Sequence, residues 1–239
     1  MATFFGISAI PADNGSNTTT TITITPPTSM LDGDLVVVYH TQRGTATFSI
    51  TNTGGQTWTS LGRSIVTTNI ATIIHYARFN GTWSANPQFT SSAGTNTSAY
   101  MLVFRPTVST NVWNHENETS VNAAAATTIT VTGITPNFDD NITIANWNTA
   151  DDNTWGNLSG ANWEQTGLGA QYRNLAGTDA SSAFAYQIQQ TRQATNNVSL
   201  EQLSLGADAT NWRRITFYEA AAPVSTEFDP MGMMGFFGI

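Results

Sequence analysis

The sequence contains no lysine and no cysteine, and only 10% of its 239 residues are charged. Each shortage excludes something. Without cysteine no disulfide can staple the fold, and thiolate metal sites are ruled out. The eight basic residues are all arginine, against sixteen acidic ones, for a net charge of -8. Such a surface repels phosphate backbones and anionic lipid, so neither nucleic acid nor membrane is an expected partner. No apolar run approaches the ~18 residues of a membrane-spanning helix. The first residues, MATFFGISAIPADNG, lack the basic start and long apolar core of a signal peptide. No convincing amphipathic helix is present.

In place of charge the chain carries forty threonines and many asparagines. Threonine keeps a surface polar and, being β-branched, favours strands. The hydrophobic period is two almost throughout. Thr21 to Thr25 alternates cleanly and stops at Pro26-Pro27. Leu35 to Tyr39 is instead continuously apolar, as in a strand covered on both faces. Asn69 to Phe79 and Ser98 to Phe104 are β-branched and aromatic, and Asn-Gly and Gly-Gly pairs mark turns.

An internal echo runs through the chain. Ile22-Thr23-Ile24-Thr25 returns as Ile129-Thr130-Val131-Thr132, and Asp34-Leu35 as Asn141-Ile142. Thr57-Trp58 to Gly62 resembles Asn162-Trp163 to Gly167, and Tyr100 to Phe104 resembles Arg213 to Phe217. Order as well as composition is kept, so the chain is expected to hold two half-repeats, about 1–108 and 109–219, followed by a C-terminal extension, 220–239. The expected fold is all-β: an antiparallel, jelly-roll-like β-sandwich with this internal pseudo-repeat. No linker separates the halves, which favours a single sandwich over two stacked ones.

Motifs for chemistry are few. Asp32, Asp34, Asp139 and Asp140 stand at matching places in the halves. Calcium could use such oxygens, but a turn entering a strand needs the same residues, and the repetition favours the turn. His40, His75 and His115 are scattered, so structural roles are expected and no metal is assigned. Glu116, Glu118 and Glu164 could furnish a glycosidase pair, a choice that any acidic chain offers. No catalytic residue and no cofactor are assigned. Among seven tryptophans, Trp58 and Trp163 are repeat-related and are expected to plug the core. Trp147 and Trp155 stand among amides, so with Asn148 and Asn153 they are the candidates for glycan contact.

The stretches Gly33 to Val38, Gln56-Thr57-Trp58-Thr59-Ser60-Leu61-Gly62, His75 to Thr82 and Ala99 to Arg105 resemble a set of β-sandwich structural proteins of tailed bacteriophage virions. The likeness covers about residues 1–110 well and the rest loosely. It departs at Arg78, where lysine is usual, and at Pro106, where glycine is usual. It implies a capsid decoration or cement protein, or a tail or fibre component. Such a protein is assembled in the host cytoplasm and exposed on the particle exterior. Its partners would be the major structural protein and copies of itself. The alternative is a fibre adhesin or carbohydrate-binding module contacting cell-surface glycan; an enzyme is a distant third.

Both ends carry Phe-Phe-Gly-Ile. Phe4, Phe5 and Ile7 near one end, and Met231, Met233, Met234, Phe236, Phe237 and Ile239 at the other, are expected to dock on neighbouring subunits. Docking in trans is favoured for the tail over folding back on its own sandwich.

Overall fold

The computed structural model describes residues 1–8, 20–45, 47–66, 70–92, 97–165, 171–174, 180–204 and 207–222. The first half supplies β1 (Thr3–Ile7), β2 (Thr21–Thr23), β3 (Leu35–Arg43), β4 (Phe48–Asn52), β5 (Thr59–Ser60), β6 (Ser64–Val66), β7 (Ile70–Arg78), β8 (Gln88–Ser91) and β9 (Thr97–Arg105). The second supplies β10 (Val112–Ala123), β11 (Thr128–Val131), β12 (Asn141–Thr149), β13 (Trp155–Ser159), β14 (Gln171–Asn174), β15 (Ala180–Gln189), β16 (Val198–Gln202) and β17 (Thr210–Ala220). All pairings between these strands are antiparallel.

The two halves have the same strand order. An inner sheet β1-β9-β3-β7-β5, with β6 also on β7, answers to β10-β17-β12-β15-β14. An outer sheet β2-β8-β4 answers to β11-β16-β13. In each half the first strand pairs with the last, the second with the next to last, and the third with the one before that. The sequence echo is therefore a structural register. Leu35 lies opposite Phe104, and Ile142 lies opposite Phe217.

The chain forms two sandwiches rather than the expected single one, and they are stacked inner sheet to inner sheet. Along β3, alternate side chains enter different cores. Leu35, Val37 and Tyr39 join Tyr100, Leu102 and Phe104 against Ile142, Ile144, Phe184, Tyr186, Ile215 and Phe217 of the other half. Val36 and Val38 face the opposite way, onto Ile22, Ile24 and Phe89 of their own outer sheet. In the second half Ala145, Trp147 and Trp212 likewise meet Ile129, Val131, Val198 and Leu200. Among the described residues four layers and three large cores result, with a small fourth cluster around Ile70 and Ala180. That is why β3 has no polar face: alternation is lost when both faces of a sheet are covered.

The packing between inner sheets repeats itself under exchange of the halves. Phe4 stacks on Tyr186 at 4.8 Å, and the corresponding pair, His115 and Tyr76, lies at 5.4 Å with the Tyr76 hydroxyl 3.0 Å from His115 Nδ1. Tyr186 meets Phe104 edge-on at 5.5 Å, as Tyr76 meets Phe217 at 5.1 Å. Near the centre the corresponding residues Thr41 and Asn148 bond each other, Thr41 Oγ1 donating to Asn148 Oδ1 at 2.8 Å. Contacts of this reciprocal kind define an isologous, two-fold interface. Here it joins halves of one chain.

The connection between halves is tied down. Thr107 N and Asn111 Nδ2 each donate to the Glu219 carboxylate at 2.8 Å, and Trp113 Nε1 donates to Gly33 O at 2.8 Å.

Candidate functional site

The expected glycan contacts are corrected by burial. Trp147 and Trp155 are 0% and 1% exposed, and Asn148 and Asn153 are fully buried. Trp147 Nε1 donates to Ile129 O at 3.1 Å, and Trp155 Nε1 to Ser181 Oγ at 2.9 Å. Asn148 belongs to the network between the halves, where Ser182 Oγ donates to its Oδ1 at 2.8 Å. Asn153 Nδ2 donates to Asp208 Oδ2 at 2.8 Å. A ring with no exposed face cannot stack on a pyranose. These tryptophans fill the second sandwich, as Trp163 does at 6% exposure. Trp58, the repeat mate of Trp163, packs partly buried on the first sandwich core.

The N-terminal docking residues are engaged within the chain. Phe4 and Ile7 pack on the central core and Phe5 on the first sandwich core, with the Arg105 guanidinium 4.1 Å above the Phe5 ring. They form an edge strand beside β9 and are only partly buried there. Met231, Met233, Met234, Phe236, Phe237 and Ile239 lie outside the described residues.

The acidic loops serve structure. Asp34 is fully buried and accepts from Leu31 N at 2.8 Å and from Arg105 Nε and Nη2 at 3.1 Å. Asp32 takes Arg78 in a two-pronged pair at 2.9 and 3.2 Å. Asp139 accepts from Arg192 N at 2.8 Å. Among the described residues no group of three or more histidine, aspartate or glutamate side chains is placed to hold a metal ion.

His40 and His75 are buried in the first sandwich with rings 6.3 Å apart. His40 Nε2 lies 2.9 Å from Thr97 Oγ1, and His75 Nδ1 lies 2.7 Å from Ser60 Oγ. Burial pulls His40 well below the ordinary imidazole range, with His75 adding to the effect. Burial, and secondarily the Arg213 charge, lowers His75 to about 4. Both are neutral at pH 7.

One place at the seam of the halves was missed in the sequence. A polar cleft of about 460 Å³ opens between the first half's Gly62, Arg63, Ser64 and Ile65 and the second half's Glu118, Ser120, Asn122 and Arg213. Arg213 is fully buried at its base. It donates to Thr72 O at 3.0 Å and Gly62 O at 2.7 Å, and is ion-paired with Glu118, whose side chain is 28% exposed. Burial lowers the Arg213 pKa, and Glu118 opposes that shift. Behind the cleft, buried Asn211 Nδ2 donates to Ser64 Oγ at 2.8 Å, Asn122 Oδ1 at 3.0 Å and Ser120 Oγ at 3.1 Å. Asn122 Nδ2 in turn donates to Ile65 O at 3.1 Å. The signal was available. Arg213 occupies the place of Tyr100 in the echo, and a cation in an apolar strand register marks a special site.

Comparison with known protein families, curated proteins and solved structures returns no match.

Proposed function

We propose that this chain is a non-enzymatic structural component of a tailed-bacteriophage particle. It would be a decoration or cement subunit, or another surface part of head or tail, seated on the major structural protein and on copies of itself. In this reading each half is a jelly roll, since its strands pair in nested fashion from first with last inward.

The observation that carries the reading is the four-layered body. Both inner sheets are covered on both faces, so the exterior falls to the small outer sheets. These carry uncharged rungs of hydroxyls: Thr90 Oγ1 lies 2.8 Å from Thr21 Oγ1 and 2.9 Å from Thr51 Oγ1, and Thr130 Oγ1 lies 2.8 Å from Ser199 Oγ. A stiff body with a polar, weakly charged skin suits a particle exterior. The phage-like motifs of residues 33–105 support the same assignment.

With Phe4, Phe5 and Ile7 packed in part within the chain, attachment in this reading rests mainly on the C-terminal segment. Burying its three Met, two Phe and one Ile on a neighbour would contribute on the order of 9–18 kcal/mol before ordering costs. The test is a chain lacking residues 231–239, supplied in place of the full chain during particle assembly. It should fold with an unchanged circular dichroism spectrum and be absent from purified particles. Incorporation at the full-length level would refute the anchoring role.

A further inference from the structure

We propose that a polar cavity at the edge of β15, in the second half, is a binding site for a guanidinium group, the side chain of an arginine on a partner protein. The inference stands independently of the particle assignment. The cavity, of about 410 Å³, opens between Asn162 and Glu164 on one side and residues 187–193 on the other. Gln187 and Gln189 project from one face of β15 and are 4% and 9% exposed. Neither side-chain oxygen has a hydrogen-bond partner. The first half shows that packing does not ask for these amides. Leu35 and Ile142 are equivalent, lying opposite Phe104 and Phe217, so Ala77 stands in the place of Gln187. Phe79, whose N–H donates to Asp34 O at 2.8 Å, stands in the place of Gln189, opposite Asn141. Both Ala77 and Phe79 are buried, and Phe79 stacks on Trp83 at 5.1 Å. Thr59, opposite Tyr76, stands where Glu164 lies opposite Tyr186. One half thus closes this end with apolar side chains, and the other puts two amides and a carboxylate there. A buried polar atom left unpaired costs stability. Two such groups beside an open cavity are better explained by a ligand that pairs them.

The chemistry of the lining selects the ligand. It holds one carboxylate, five side-chain amides and a hydroxyl, and no arginine. Glu164 is exposed and accepts from the Tyr186 hydroxyl at 3.1 Å through one oxygen only. The unmet groups are therefore acceptors: this carboxylate and the oxygens of Gln187 and Gln189. The last torsion of a glutamine side chain is broad, so both oxygens can turn to a donor in the cavity. A guanidinium presents five N–H donors in a planar fork and meets several acceptors at once, with charge assistance at the carboxylate. The volume exceeds the need of a bare ion, and a divalent metal would want more than one carboxylate. Ile188 offers aliphatic surface to the methylenes of an arginine stem. The net charge of -8 attracts a cation from a distance. Free arginine would bring its own carboxylate, for which the lining has no cation, so an arginine within a polypeptide fits better.

The experiment titrates the full chain with the blocked peptide acetyl-Gly-Arg-Gly-amide, with its Lys and Gln counterparts and with free arginine, read by NMR shift changes and calorimetry. The arginine peptide should bind most tightly of the four. Glu164→Gln keeps the volume, removes the charge and should weaken that binding by about tenfold, the loss of one charge-assisted hydrogen bond. Gln187→Leu should weaken it by a similar factor, yet raise the urea midpoint of the free chain, because an apolar side chain replaces an unpaired amide as Ala77 does in the first half. A purely structural amide would move the midpoint the other way. The proposal is overturned if the arginine peptide does not bind at millimolar concentration, if any of the other three ligands binds as tightly, if either variant binds like the parent, or if Gln187→Leu lowers the midpoint.

Discussion

Acid should loosen this protein through His75, and the size of the effect follows from where that ring sits. The folded chain holds His75 at about 4, because the ring is buried between sheets and faces the Arg213 charge. In the unfolded chain the same ring titrates near 6.5. Between those values the unfolded state carries a proton that the folded state lacks. Stability is therefore unaffected above about pH 6.5, falls as pH drops through the window, and levels off below about pH 4. The full loss is about 3 kcal/mol, from ~1.36 kcal/mol per pH unit. His40, shifted in the same direction, adds to the decline. The second half supplies the control, since the registers place Trp147 and Ala185 where the first half has His40 and His75. His75→Ala thus copies the other half. Urea unfolding measured from pH 7.5 to 4 should give a parent curve that falls more steeply than the variant curve, while contributions from carboxylates cancel in the difference. The variant should lose about 2–4 kcal/mol at pH 7.5, from the ring's packing on Phe89 and the Ser60 hydrogen bond, and that deficit should shrink by about 3 kcal/mol at pH 4. Equal pH slopes for parent and variant would refute the reasoning.

Two further outcomes are expected. Trp147→Ala should destabilise by about 3–5 kcal/mol in urea unfolding, because the ring is wholly enclosed between the second pair of sheets; a change under 1 kcal/mol would contradict its place there. Gly33 has φ of 95°, and a Cβ on it would lie 2.4 Å from Ser109 O, so Gly33→Ala should lower the melting temperature through both strain and collision. An unchanged melting curve would contradict the close approach of the loop before β3 to the connection between halves.

Much of the local organisation could be read from residue order. Thr21 to Thr23 and Thr128 to Val131 do form equivalent outer-sheet strands, and Tyr100 to Phe104 and Arg213 to Phe217 share one register. The Asp-Gly-Asp turn before β3 also behaves as its composition suggests, with Asp34 capping Leu31 N. The candidate site fared differently. Trp147 and Trp155 were misjudged because amide neighbours look exposed in a sequence. Here Asn146 and Asn148 are buried, their polar groups engaged across the seam by Tyr100 and Thr41 and within their own sheet by Ser182. Polar residues inside a protein are hydrogen-bonded wherever they are tolerated, so polarity alone does not mark a surface.

Sequence alone determined strands, turns and duplication, because these depend on side-chain period, β-branching and glycine, all of which act within a few residues. The one hint of a fourth layer was the unbroken apolar run from Leu35 to Tyr39, which a strand shows when both of its faces are covered. What only the tertiary structure decided was which surface covers each face. Inner sheet against inner sheet turns a tandem repeat into a two-fold block, buries Asn146 and Asn148, and brings Gly62 to Ile65 against Glu118 to Asn122, while the second outer sheet covers Trp147 and Trp155. These juxtapositions join residues more than fifty positions apart, and no local propensity encodes them.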